Sequence, residues 1–309
     1  MMLFISSILI LLAPAAVRAQ ERDETPLFKA GASDVRLDVQ VMEGEQPLRG
    51  LTMSDFVVTD EGQPQKIAYF GQDAEPLNLI LLLDISGSMQ KYIDEISQTA
   101  RDAMKFLRPG DSVAIMVFGK TSAVHQDFAD NLAESARQIS HAVEDHDVGA
   151  GTMINSAVMD AAHYMEEHAV PGGRRAILIL TDNLSLSYQL TDGQVIRELN
   201  KADTVFNAIV VGRAIRPGPL DPAKYSTTYT PADVFHLAES TGGEWVKSSQ
   251  AGASFAEMIE RIRMRYTLAY PEPTSTPGAF RRVQVALAAA AKLRHPSAEL
   301  RVREGYYAE

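Results

Sequence analysis

Cysteine is absent from all 309 residues, so no disulfide, thiolate metal site, thiol nucleophile or lipidated cysteine anchor can be built. Basic residues are scarce beside acids: 29 Lys and Arg against 40 Asp and Glu give a formal net charge of −11. Such a surface repels nucleic acid and anionic lipid and leaves protein, glycan and cell-wall partners open. The chain lacks internal repeats, low-complexity tracts, a Gly-x-Ser-x-Gly elbow and zinc-type ligand spacing. Its one long apolar run, Leu3 to Ala16, is too short to span a bilayer comfortably. With Val17, Arg18 and Ala19 following before Gln20, that run fits a secretory signal with a small-residue cleavage site, although basic residues are missing ahead of it. Residues 1–19 are therefore read as a cleaved signal peptide that delivers the mature chain to the periplasm or outside the cell. Its removal takes away only Arg18 and makes the balance more acidic. Residues 20–31 are polar and read as a flexible leader. The rest is ordinary globular material, 46% hydrophobic and 22% charged, long enough for one large or two modest cores.

The most informative segment runs from Leu79 to Ser88. Leu79, Ile80, Leu81, Leu82 and Leu83 suit a strand buried on both faces, and it ends in Asp84, Ser86 and Ser88, hard oxygen ligands two residues apart. A second apolar strand, Ile177 to Thr181, ends in Asp182. Between them, Gly149, Ala150, Gly151 and Thr152 open a helical pattern with another hydroxyl. Asp and Ser near a helix start also serve as caps, which is the plainer account of any one of these elements alone. Oxygen ligands at the carboxyl ends of two strands and at the start of a helix point instead to a cation site in the crevice of an α/β sheet.

This constellation resembles the metal-ion-dependent adhesion site of von Willebrand factor A (VWA) domains. Carried over residue by residue, the metal ligands are Asp84, Ser86, Ser88, Thr152 and Asp182. The family often has Gly after the last Asp; here Asn183 follows, a residue that tolerates left-handed backbone. Both flanks extend the resemblance: Val35 to Val41, Leu51 to Val58, Asp60 to Ile67, Tyr266 to Tyr270, Arg282 to Val285 and Arg303 to Tyr307 look like acidobacterial VWFA-related proteins. The resemblance implies a doubly wound, mostly parallel Rossmann-like α/β sheet. It also implies one divalent ion, Mg²⁺ or else Mn²⁺ or Ca²⁺, with an open position for a partner's Asp or Glu.

Alternation at Val35, Leu37, Val39 and Val41, and again in Tyr266–Tyr270, Val283–Leu287 and Leu300–Val302, marks half-buried strands at both ends. The expected organisation is an N-terminal β segment at 32–75, the VWA domain at 76–264, and a C-terminal β segment at 265–309 that packs with the first into a small β-sandwich-like domain. Phe56–Val58 and Ile67–Phe70 are expected to form a hairpin around Gly62. Apolar stripes at Ile93, Ile96, Ala100 and Ala103, at Ile154, Val158, Ala161 and Met165, and at Phe255, Met258, Ile259 and Ile262 are core faces of helices. His141, Glu144, Asp145, His146 and Asp147 read as a solvated helix end and loop, since no zinc-type spacing appears, with an auxiliary cation site as the alternative. Trp245, Tyr306 and Tyr307 read as packing.

Magnesium takes near-octahedral oxygen coordination at about 2.1 Å and keeps waters readily. Two aspartates brought together without it repel by about 4 kcal/mol at ~4 Å and an effective dielectric of ~20, so a divalent ion should stabilise the fold. Loops at Asn183–Gln189 and Arg213–Asp233 leave strand ends on the same rim, and Asn183, Tyr188, Tyr225 and Tyr229 are the candidate partner-binding residues there. The function expected is a secreted, metal-dependent, adhesion-type protein-binding module with no catalysis, no nucleic acid and no membrane span in the mature chain. A structural or assembly factor of the cell envelope is the alternative; a metal-dependent enzyme is less favoured, because the motif holds no His or Glu as general base.

Overall fold

A computed structural model of the chain describes residues 34–72, 75–142, 147–185, 187–188, 190–212, 215–216, 229–230 and 232–308. The signal peptide, the leader, Glu144, Asp145, His146 and Tyr225 lie outside the described residues. The described residues open with β1 (Asp34–Glu43), β2 (Gln46–Pro47), β3 (Phe56–Asp60), β4 (Gln63–Gln65) and β5 (Tyr69–Gln72). Next come β6 (Leu77–Asp84), α1 (Gln90–Ala103), β7 (Ser112–Phe118), β8 (Ser122–Ala129), α2 (Leu132–His141), α3 (Ile154–His168), β9 (Arg174–Thr181) and β10 (Ser187–Tyr188). They are followed by α4 (Asp192–Lys201), β11 (Val205–Val211), β12 (Tyr229–Thr230), α5 (Val234–Ser240), β13 (Trp245–Ser248) and α6 (Ala251–Arg263). β14 (Tyr266–Pro271), β15 (Phe280–Leu287), α7 (Ala289–Arg294), β16 (Ala298–Arg301) and β17 (Gly305–Tyr307) complete it.

The larger sheet has the order β13-β11-β9-β6-β7-β8, parallel from β13 to β7. Every residue of β6, β7 and β11 is buried, as near-continuous apolar runs require when both faces are covered. Period two then divides β6: Leu79, Leu81 and Leu83 pack with Ile93, Ile96, Phe255 and Ile259 of α1 and α6, while Ile80 and Leu82 face Val158, Ala161 and Leu199 of α3 and α4. The outcome is a doubly wound α/β sheet. The sheet is mostly parallel, as expected; its edge strand β8 runs antiparallel to β7, because the connection Gly119–Thr121 is too short for a crossover. Among the described residues no helix is long and apolar enough to cross a membrane.

Strands from the two ends of the chain pair with each other. β1 lies between β16 and β14, β14 carries β5 on its far side, and a second sheet has the order β17-β15-β3-β4. Leu37, Val39, Val58, Tyr266, Leu268, Tyr270 and Val283 form the core between these sheets. The hairpin expected between Phe56–Val58 and Ile67–Phe70 is not formed. Glu61 and Gly62, both at positive φ, turn β3 directly into β4, and Tyr69 pairs instead with Ala269 in the other sheet. Pro64 fits β4 because that strand is an edge.

A buried ionic cluster joins the terminal sheets to the amino ends of the parallel strands. Asp38 of β1 bridges Arg174, the first residue of β9, and Arg265, with both arginines 1% exposed. Arg174 also donates to the carbonyls of Ile262 and Arg263 at the end of α6, and Arg263 pairs with Asp111 just before β7 at 2.9 Å. With that end covered, the carboxyl ends of β6 and β9 are left to the loops that follow them.

Candidate metal centre

Chain direction reverses at β6: the chain steps from it to β7 and β8 on one side and returns to β9, β11 and β13 on the other. The crevice beyond β6 and β9 is therefore the switch point where such sheets bind ligands. Leu83 pairs with Leu180, which sets Asp84 beside Thr181 at the sheet's carboxyl edge. Thr181 Oγ1 donates to Asp84 Oδ2 at 2.8 Å, and the Ser86 backbone N–H donates to Oδ1 at 3.0 Å. Ser88 Oγ reaches across to Asp182 Oδ2 at 2.8 Å, and the two serine hydroxyls lie 3.3 Å apart. The Leu184 N–H serves Asp182 Oδ1 at 3.1 Å. Asp84, Ser86, Ser88 and Asp182 thus form one connected polar group.

The hydroxyls do not cap the helices that follow them. α1 is capped at Met89 and α3 at Met153, both without a side-chain cap bond. Ser88 spends its hydrogen on Asp182 instead. Thr152 enters through its backbone: Ser185 Oγ donates to its carbonyl at 2.8 Å and accepts from the Ile154 N–H at 3.1 Å, filling an orphan donor of α3. The Thr152 hydroxyl itself makes no hydrogen bond among the described residues. Gly119 lets this loop approach β7, since a Cβ there would lie 2.7 Å from the Gly149 carbonyl oxygen and 2.8 Å from Val148 Cγ2.

Burial pushes the Asp84 carboxyl up from its ordinary pKa; bonds from Ser86 and Thr181 work against this, and the charge of Asp182 adds to it. Asp84 is fully buried and Asp182 is 7% exposed. Two such carboxylates joined through serines are an electrostatic cost that a cation would relieve. The donor set fits one. Ser88 gives its hydrogen to Asp182, so its remaining lone pairs are left for a metal, and each carboxylate oxygen with one protein donor keeps capacity to accept more. Asn183 Oδ1 is buried beside this group with no hydrogen-bond partner among the described residues, an acceptor suited to the water of a hydrated ion. Among the described residues no three His, Cys, Asp or Glu side chains converge on a metal site, so a cation here depends on the hydroxyls.

Asn183 has φ 56°, the left-handed backbone expected of it, and its Nδ2 donates to the Ile215 carbonyl at 3.5 Å. The two rim loops also pair directly, Ser187 with Thr230 and Tyr188 with Tyr229 in β10 and β12. The backbones of Tyr188 and Tyr229 are described but their side chains are not, and Tyr225 lies outside the described residues. Thr181, Ser185 and Gly119 were not singled out in the sequence. Thr181 ends one apolar strand and Gly119 follows another, positions that could have raised them as candidates. Trp245 sits edge-on to Phe235 at 4.8 Å, and Tyr306 donates to buried Asp60, so both pack.

Residues 79–184 match the family model described as the von Willebrand factor type A domain. That match runs from β6 to just beyond Asp182, and the doubly wound sheet has this fold. The BatB protein of Bacteroides thetaiotaomicron, a conserved hypothetical protein, is similar at 16% identity over 60% of this chain and 98% of its own, with a TM-score of 0.44. A von Willebrand factor type A protein from Catenulispora acidiphila is 12% identical over 84% of this chain and 71% of its own, with a TM-score of 0.48. Proximal thread matrix protein 1 of the mussel byssus, solved with a zinc-occupied MIDAS motif, is 13% identical over 67% of this chain and 50% of its own, at a TM-score of 0.48. No curated protein matches the chain.

Proposed function

We propose that this protein, whose residues 79–184 match the von Willebrand factor type A family model, is a secreted, non-catalytic binding module that engages protein partners through a divalent cation. Asp84, Ser86, Ser88, Thr152 and Asp182 would hold Mg²⁺, or Mn²⁺ or Ca²⁺ in its place. When bound, the ion supplies a coordination position that takes a carboxylate of the partner. The chain's own part is to neutralise and orient. Asp84 and Asp182 provide the charge, Thr181 and the Ser86 and Leu184 N–H groups fix their oxygens, and Ser88 turns its lone pairs away from Asp182. One observation carries this reading: the Ser88 hydroxyl is committed to Asp182 and not to the start of α1.

The acidic composition supports a protein partner held through metal, since without the ion the surface repels a carboxylate. The five-residue motif holds no His or Glu that could act as a general base, which supports binding over hydrolysis. Calorimetric titration of the full mature chain with Mg²⁺ and Mn²⁺ tests the reading. One binding event is expected in the unaltered protein, and none in Asp84→Ala if that variant still folds by circular dichroism. Failure of either ion to bind the unaltered chain would sink the proposal.

A further inference from the structure

Two large aliphatic side chains stand exposed on either side of Asn183: Leu184, whose N–H is bound to Asp182, at 70%, and Ile215, whose carbonyl meets Asn183 Nδ2, at 75%. Among the described large apolar residues only Leu293, on α7, is more exposed. The backbone beside each is engaged by polar contacts. The Leu184 N–H is held by Asp182 Oδ1, and its neighbours are buried on both sides, Asn183 bound to Thr181 Oγ1 and Ser185 bound to Thr152 and Ile154. Ile215 has its carbonyl on Asn183 Nδ2, and the next residue, Arg216, forms ion pairs with Glu239 at 2.5 Å and Asp233 at 3.6 Å. Asn183 therefore links the two segments that present these side chains.

A pinned backbone that keeps Leu and Ile in water forgoes the burial that each side chain favours, and apolar surface so placed marks contact sites. Here it is tied to the proposed cation site through the Leu184 N–H on Asp182 and through Asn183, and the ion would supply the charge complement for an anion. We infer that Leu184 and Ile215 form an apolar lip that selects a partner segment whose acidic residue is flanked by aliphatic side chains. This deepens the proposed function and rests on it. The ion would hold the carboxylate of such a segment, while the lip covers its neighbours and excludes water around the charged contact, as apolar rings do around interface hot spots. Asn183 would act as the positioning residue that sets the distance between lip and ion.

The test uses the full mature chain, Mn²⁺ followed by electron paramagnetic resonance, and two fluorescent peptides, acetyl-Leu-Glu-Leu-amide and acetyl-Ser-Glu-Ser-amide extended by the same labelled glycine linker. The leucine-flanked peptide should bind about tenfold tighter or better in Mn²⁺, and chelator should abolish binding of both. In Leu184→Ser/Ile215→Ser the Mn²⁺ signal should be unchanged while the preference falls to within about twofold. Equal binding of the two peptides, binding of neither by Mn²⁺-loaded protein, or a preference that survives the double substitution overturns the lip. A free-Mn²⁺ six-line spectrum left undiminished by the unaltered chain overturns the cation site itself, and the two failures are read in separate channels.

Discussion

The Ser88 hydroxyl donates to Asp182 Oδ2 at 2.8 Å, joining the loop after β6 to the end of β9 across 94 positions of sequence. Serine in this place neutralises nothing, so the two acids it connects keep their mutual repulsion until a cation arrives. The bond orients the serine oxygen in advance, and preorganisation of this kind reduces what binding must spend on ordering.

Magnesium should accordingly raise the melting temperature of the unaltered protein. A ligand at a hundred times its Kd stabilises by about 2.7 kcal/mol, which for a domain of this size is a rise of roughly 5–10 °C. Asp84→Ala should abolish the rise, and Ser88→Ala should cut it to less than half at the same magnesium concentration. Differential scanning calorimetry with and without chelator reads both, and an unaltered rise in Asp84→Ala would count against the site.

Thr181→Val keeps the β-branched shape while removing the donor to Asp84 Oδ2 and the acceptor of the Asn183 N–H. A buried acceptor that loses its donor costs about 1–3 kcal/mol. Urea denaturation in chelator should show that loss. Ser185→Ala should behave differently: α3 loses the acceptor of its Ile154 N–H and Thr152 loses its tether, so magnesium affinity falls as well. If Ser185→Ala bound magnesium like the unaltered chain, the tether would have no bearing on the site.

What could be read from sequence divides along a physical line. Asp84, Ser86 and Ser88 are contiguous, and contiguous residues after an apolar strand keep their meaning without knowledge of the fold. Thr181 and Gly119 acquire theirs only through register: Thr181 lies opposite Asp84 because Leu83 pairs with Leu180. Ser185 acquires its role from where two loops meet. The helix stripes at Ile93 and Ile96, at Val158 and Ala161, and at Phe255 and Ile259 are buried in the two main cores, because period 3.6 encodes burial directly. The apolar run Ile67–Phe70 could not reveal which sheet would receive that strand; pairing with β14 is a long-range choice made by the rest of the chain.

Gly119→Ala should damage the site more than the fold. The added methyl would meet the Gly149 carbonyl oxygen and Val148 Cγ2, atoms of the loop that leads to Thr152. The loop must move outward, since β7 is a buried central strand and cannot. Expected is a destabilisation of about 1–3 kcal/mol in chelator together with a magnesium-induced melting rise reduced to a fraction of that in the unaltered chain. A full rise would mean that Thr152 is not needed for binding.

Asp38→Ala tests the cluster that holds the terminal sheets to the parallel one. Two guanidiniums, Arg174 and Arg265, would lose their shared carboxylate while remaining buried. Removal of one partner from a buried ionic group typically costs about 3–5 kcal/mol, and urea denaturation at neutral pH should show a loss of that order. The pH dependence gives a second check. Burial alone would raise the Asp38 pKa, yet the charges and hydrogen bonds of Arg174 and Arg265 outweigh it and hold the carboxyl below its ordinary range. A carboxylate depressed in the fold contributes its full stability above the unfolded pKa of about 3.9 and loses it as pH falls toward and through the folded value. The gap in unfolding free energy between the unaltered chain and Asp38→Ala should therefore be constant from about pH 7 to about pH 5 and narrow below about pH 4. A gap that widens on acidification would reverse the sign and place the stabilising charge elsewhere in the cluster.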